Sequence, residues 1–419
     1  MRNEPRAGLA RLFLALGALC APAAAGVIVV DPAGGGDFTT LFAAVAAAAD
    51  GDTVLISPSS PCTGCELGGA QVDGKSLTIV FDTSAASPAD FPVGSLVISG
   101  LASGETLVLR GLQCEQSIIL FLSDGAIWVE DCVVTGTQGT GTGLMFPCSA
   151  PAGYGAGAPA IGVQMCAAVT IVDCTLQGGV GADASSTLHA IATDGGSGLS
   201  AQSASVAVFG STLTGGKGGA GQICVESPDG GAGVQALVDA HVLLSGCTLQ
   251  GGEPTGAPPG TPGPGLRGVA TASFELLDSS VTPWPGGVAF DTAPGTLITY
   301  PGAARRFTLS SPLREGEGGT LTLQGVQGDF VGFFWSFGSS LIPKPGKNGW
   351  FLLGPPFISG PYFIGVITNP GGSWTLPITA PSLVPTLEEQ TFLLQAYFAY
   401  PGGATLSSGT AFTLLDASL

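Results

Sequence analysis

The residues that could do chemistry are few and mostly acidic. Asp131, Asp173 and Asp278 occupy equivalent places in short apolar segments. A ladder of such carboxylates could hold Ca²⁺ or act as acid and base. Asp183, Asp194 and Asp229 lie in glycine-rich loops and are further candidate glycan or calcium contacts. Gly178-Gly179-Val180-Gly181-Ala182-Asp183 matches the start of a Ca²⁺-binding nonapeptide repeat. That motif works in tandem, however, and Ser185 stands where a large apolar residue belongs. His189 falls in a long loop and is the better placed of the two histidines, since His241 directly precedes an apolar run. Trp128 lies between Ile127 and Val129 and should face outward, where it could stack on a sugar ring or pack beneath a loop. Cys62 with Cys65, and Cys148 with Cys166, flank Gly-rich loops and are candidate disulfides. Neither histidine lies near a cysteine pair, which argues against zinc.

The elements that position these residues repeat. Leu107-Val-Leu-Arg-Gly111-Leu-Gln-Cys114 aligns with segments beginning at Ile127, Val169, Val206, Val242 and Phe274. The pattern is apolar-x-apolar-x-[Asp/Gly]-[Cys/Ser/Leu]-x-[apolar or Cys]. The first and third residues point inward along a strand. The fifth is Gly or Asp, residue types that tolerate a left-handed backbone and so permit a sharp bend. This explains Asp131, Asp173 and Asp278 by backbone geometry, since Gly111, Gly210 and Gly246 fill the same place. The sixth position should form an internal ladder of Cys132, Cys174, Ser211, Cys247 and Ser279. The bends are spaced by 20, 42, 37, 36 and 32 residues. A lean solenoid coil takes roughly 20–25 residues, so the longer spacings leave room for one loop per coil. All these loops leave the same corner and should build one Gly-rich face.

At the front, Val27-Ile28-Val29-Val30 precedes Gly36-Asp37-Phe38-Thr39, an Ala-rich amphipathic stretch from about Leu41 to Ala49, and Gly51-Asp52-Thr53-Val54. A solenoid must cover the apolar interior of its first coil, and a short amphipathic helix can do so. This segment resembles the N-terminal cap of pectin-lyase-like β-helix proteins. The resemblance extends over residues 27–290 and implies a right-handed parallel β-helix. The expected fold is all-β: a capped solenoid over 26–290 (cap about 27–58), a linker at 291–297, where Pro283, Pro285, Pro294 and Pro301 mark a composition shift, and a β-sandwich over 298–419. The last part shows short alternating runs and resembles the C-terminal sandwich of large secreted bacterial repeat proteins.

Residues 1–25 read as a signal peptide, with Arg2, Arg6 and Arg11, an apolar run Leu12 to Leu19, and Ala23-Ala24-Ala25 at the cleavage site. No later stretch is long and apolar enough to span a membrane. The net charge of −18 opposes binding to nucleic acid or anionic membranes. Ca²⁺ is the one cofactor such a surface could gather. The resemblance brings polysaccharide lyases and hydrolases into view. The hydrolase pattern of Asn-Thr-Asp, Asp-Asp, Gly-His-Gly and Arg-Ile-Lys is missing, and the solenoid region carries only Lys75, Arg110, Lys217 and Arg267 as basic residues. The expectation is therefore a secreted or cell-surface, non-catalytic β-helix serving adhesion, envelope structure or glycan binding. Its partner would be an extracellular polysaccharide or the cell envelope. The alternative is a carbohydrate-active enzyme.

Overall fold

A computed structural model describes residues 25–60, 66–84, 86–140, 155–183, 192–220, 227–256, 259–292, 295–344 and 347–419. The six repeats stack in parallel register, residue upon residue: Leu107 on Ile127, then Val169, Val206, Val242 and Phe274. The stacked strands form three faces. Face one runs from Val27–Val30 through Thr53–Ile56 and Thr106–Arg110 to Thr296–Tyr300. Face two holds the short strands from Gln113–Cys114 to Ser280–Thr282, and face three those from Gly68–Asp73 to Phe290–Thr292. Inward residues make one continuous core from Val30 to Leu276.

All six fifth-position residues have positive φ: Gly111 (71°), Asp131 (54°), Asp173 (54°), Gly210 (57°), Gly246 (66°) and Asp278 (50°). A second left-handed bend leaves face three at Gly74, Gly100, Leu122, Met165 and Ser203. The sequence hides it, because Leu122 and Met165 are residue types that disfavour this backbone.

The helix Leu41–Ala47 caps the first coil. Thr40 Oγ1 accepts from Ala43 N at its start, and Leu41, Ala44 and Val45 are buried in the core. Lys75 Nζ donates to Ala48 O (2.8 Å) at its end, where the helix leaves carbonyls unpaired. At the other end, parallel pairing continues through Phe290–Thr292 and Thr296–Tyr300. This corrects the linker expected at 291–297, most of whose described residues belong to these two strands.

The C-terminal domain is sandwich-like. One antiparallel sheet contains Arg306–Leu309, Gly318–Gln324 and Ser373–Thr379. The other, mixed sheet orders Leu313–Arg314, Gly403–Leu415, Glu389–Tyr400, Phe330–Pro343 and Trp350–Val366. Phe307, Leu323, Phe333, Trp335, Phe392 and Phe412 fill the space between them. The strand Trp350–Val366 is unbroken although it carries Pro355, Pro356 and Pro361. An edge strand tolerates such prolines because one side needs no donors.

Candidate functional site

The outward side of face one is covered over its middle strands. Its residues Val108, Trp128, Val172, Ala207, Phe209 and Leu243 pack against Leu353, Leu393, Leu406 and Ala411 of the five-stranded sheet. That sheet is thus buried on both sides. Trp128 does point away from the solenoid interior, but it is 0% exposed, and its ring lies against Gly409. This overturns its reading as a surface platform for sugar. The signal was present in the repeat: the positions between the inward residues are mostly apolar too, as in a strand covered on both faces.

Polar groups on this seam are paired across it. Glu130 accepts from Arg110 (2.9 Å), Trp128 Nε1 (2.9 Å), Thr410 Oγ1 (2.6 Å) and Ala411 N (2.6 Å). Arg110 also reaches Asp131 (3.0 Å), Leu309 O (3.0 Å) and Ala411 O. Burial pushes the Glu130 carboxyl upward, against the pull of the Arg110 guanidinium. Burial likewise pushes Glu389 up to about 7, with Thr53 and Thr391 opposing it. Trp350 Nε1 donates to Glu275 (2.9 Å) near the far end.

One edge of the seam opens into a polar cleft of about 590 Å³. Asp82, Arg110, Asp131 and Asp173 line it from the solenoid, and Arg306, Thr308, Ser310 and Thr320 line it from the sandwich. Here acids meet bases, yet each meeting is an ion pair: Asp131 with Arg110 (3.0 Å), Asp173 with Arg306 (2.7 Å) and Asp82 with Arg314 (2.6 Å). Burial raises the Asp173 carboxyl despite Arg306. Burial also acts on Asp82, but hydrogen bonds from Arg314 and Ser84 outweigh it and lower its pKa. Asp131 is thus a bend residue that pairs with Arg110 of the preceding coil, while Asp173 is a bend residue that joins the two domains through Arg306. Asp278 Oδ2 does the same by accepting from Ala304 N (2.9 Å).

The described part of the Gly-rich face is held by backbone hydrogen bonds. Segments leaving face two and segments returning to face three run side by side and hydrogen-bond in two layers. Gly178 N donates to Thr214 O and Gly181 N to Lys217 O in the next coil. Between layers, Gly179 N donates to Ala158 O, Gly196 N to Gly179 O, Gly216 N to Gly196 O, Gly231 N to Gly216 O and Gly252 N to Gly231 O. Bonds recur at every third residue, the period of a polyproline-II chain. Gly-Gly-x-Gly stretches at Gly178, Gly195, Gly215, Gly218 and Gly230 are its sequence signature. Sequence reasoning read them as loops because a period of three belongs to neither helix nor strand.

The loop acids stitch this bundle. Asp183 Oδ1 accepts from Ala220 N (2.6 Å), Asp194 Oδ1 from Asp229 N (2.8 Å) and Asp229 Oδ1 from Thr261 N (2.6 Å). They do not converge on one point, and no cluster of three metal-binding side chains exists among the described residues. His189, Cys62, Cys65 and Cys148 lie outside the described residues. Cys166 is a free thiol, 2% exposed, in the solenoid core. The expected inner ladder is present. Cys174 Sγ donates to Val172 O and Val129 O, Cys247 Sγ to Ser245 O and Val208 O, and Ser279 Oγ to Leu277 O and Leu244 O. Cysteine and serine interchange in these coils because each is small and donates to the same backbone carbonyls.

The fold and seam define an all-β protein: a capped parallel β-solenoid with a sandwich-like domain strapped along one face. No family model matches the chain, and no curated protein is significantly similar to it.

Proposed function

We propose that this is an exported, non-catalytic β-helix protein of the cell surface or extracellular space, serving adhesion, envelope structure or glycan binding. One observation carries the reading. The acids that could do chemistry already have structural partners: Asp131 and Asp173 in the seam, and Asp183, Asp194 and Asp229 in the glycine bundle. The likeness of residues 27–58 to a pectin-lyase-like cap and the leader-like residues 1–25 support the exported, right-handed form of this reading. The test is a depolymerisation screen on acidic and neutral polysaccharides, with and without Ca²⁺. We expect no new reducing ends above a boiled control; their appearance overturns the proposal.

The seam cleft favours a second reading, a carbohydrate-active enzyme. It gathers carboxylates and guanidinium groups in about 590 Å³ at a domain boundary, a usual place for ligand sites. Under this reading Asp173→Asn abolishes any cleavage found in the screen, while cleavage that persists places the chemistry elsewhere.

A further inference from the structure

The two ends of the solenoid are finished differently. At the first coil, the free edge of Val27–Val30 is occupied. Val29 O accepts from Asp37 N (2.8 Å) and Phe38 N (3.2 Å), Val29 N donates to Asp37 Oδ2 (2.9 Å), and Val27 N donates to Glu388 (3.1 Å). The helix Leu41–Ala47 covers the interior beneath.

The last coil has no such finish among the described residues. Ser280–Thr282, Phe290–Thr292 and Thr296–Tyr300 each pair with the preceding coil on one side only. Leu297 and Phe290 stack on the core residues Phe274 and Leu266, so they belong to the inward rows. Yet they are 43% and 41% exposed, beside Val288 at 57% and Ile298 at 41%. An apolar interior ending in unpaired strand edges is a template for another strand edge. Solenoids otherwise close such ends with a polar cap.

Charge and symmetry select the occupant. Between Ser280 and Tyr300 the one charged residue is Asp291, which pairs with Arg267 (3.0 Å). In a chain of net charge −18, this end can therefore meet its own copy without like-charge repulsion. The blocked first coil cannot receive it, so head-to-tail filaments are excluded and a closed twofold pair remains. We propose that two copies dimerise through their last coils, with Thr296–Tyr300 pairing antiparallel with itself across a twofold axis normal to face one.

This inference stands whether or not the protein is catalytic. Sedimentation of the full chain is expected to give twice the monomer mass. Leu297→Lys should weaken the dimer at least about tenfold, with the circular dichroism of the body unchanged. Cysteines added one at a time at the outward positions (Thr296→Cys, Ile298→Cys, Tyr300→Cys), in a chain whose cysteines outside the described residues are replaced by serine, should let a short bifunctional thiol reagent join two copies at one position or more. Phe42→Cys, on the capping helix, should give no joined product. A chain that stays monomeric up to about 100 μM, or that joins as well through Phe42→Cys as through the last coil, overturns the proposal.

Discussion

Gly216→Ala tests whether the glycine bundle is a packed element. A Cβ at this position would lie 2.0 Å from Gly179 O and 2.8 Å from Gly178 O. Both are backbone atoms, so no side-chain rotation relieves the contact. Reaching even the 3.0 Å that real contacts respect requires a retreat of about 1 Å. Two hydrogen bonds depend on that position, Gly216 N to Gly196 O (2.6 Å) and Gly231 N to Gly216 O (2.9 Å). Overpacking costs about 1–3 kcal/mol and each weakened buried bond about 0.5–1.5 kcal/mol. The expected loss is therefore about 2–6 kcal/mol. Gly318→Ala is the control: nothing lies within 4 Å of its Cβ position, and the expected effect is neutral or slightly stabilising. Urea unfolding followed by circular dichroism reads both variants. If Gly216→Ala unfolds within about 0.5 kcal/mol of the parent, the segments are loops after all and the bundle argument fails.

Trp128→Ala should cost about 3–5 kcal/mol in the same assay, because the ring is wholly buried in the seam; an unchanged midpoint would return it to the surface. Leu122→Gly should stabilise by about 1 kcal/mol, since a 55% exposed leucine at φ 52° sacrifices little packing when the left-handed strain is relieved, and a destabilised variant would show that its side chain matters more. Glu389 binds its proton more tightly in the folded chain than in the unfolded one, with the carboxyl moved from 4.5 to about 7. Its contribution is thus fully present below pH 4.5 and is lost as pH rises through about 7. Stability profiles of the parent and Glu389→Gln should converge at low pH and separate over that interval; parallel profiles would refute the assignment.

The solenoid was legible because its rules are local. Periodicity marks the inward residues Val169 and Ile171, and residue type marks the bend at Gly210, so each repeat predicts its own coil. The second bend was hidden because Leu122 and Met165 carry no left-handed signature; the stacking of neighbouring coils imposes that backbone on them. The seam was half visible. Phe209 and Leu243 betray a covered face, but nothing local says that residues some two hundred positions later do the covering. The partners of Asp173 and Glu130 are likewise set by how two domains dock, which no spacing within a repeat encodes.

A bare solenoid can unravel like knitting, one coil at a time from an end, because each coil holds only its neighbours. Here the sandwich grips coils far apart, from Asp82 through Arg314 to Glu275 through Trp350. Releasing an inner coil therefore means lifting the splint from all of them. Between those clasps the rod should melt in a single step, with fraying confined to the last coil, Ser280–Tyr300, beyond the Glu275–Trp350 clasp.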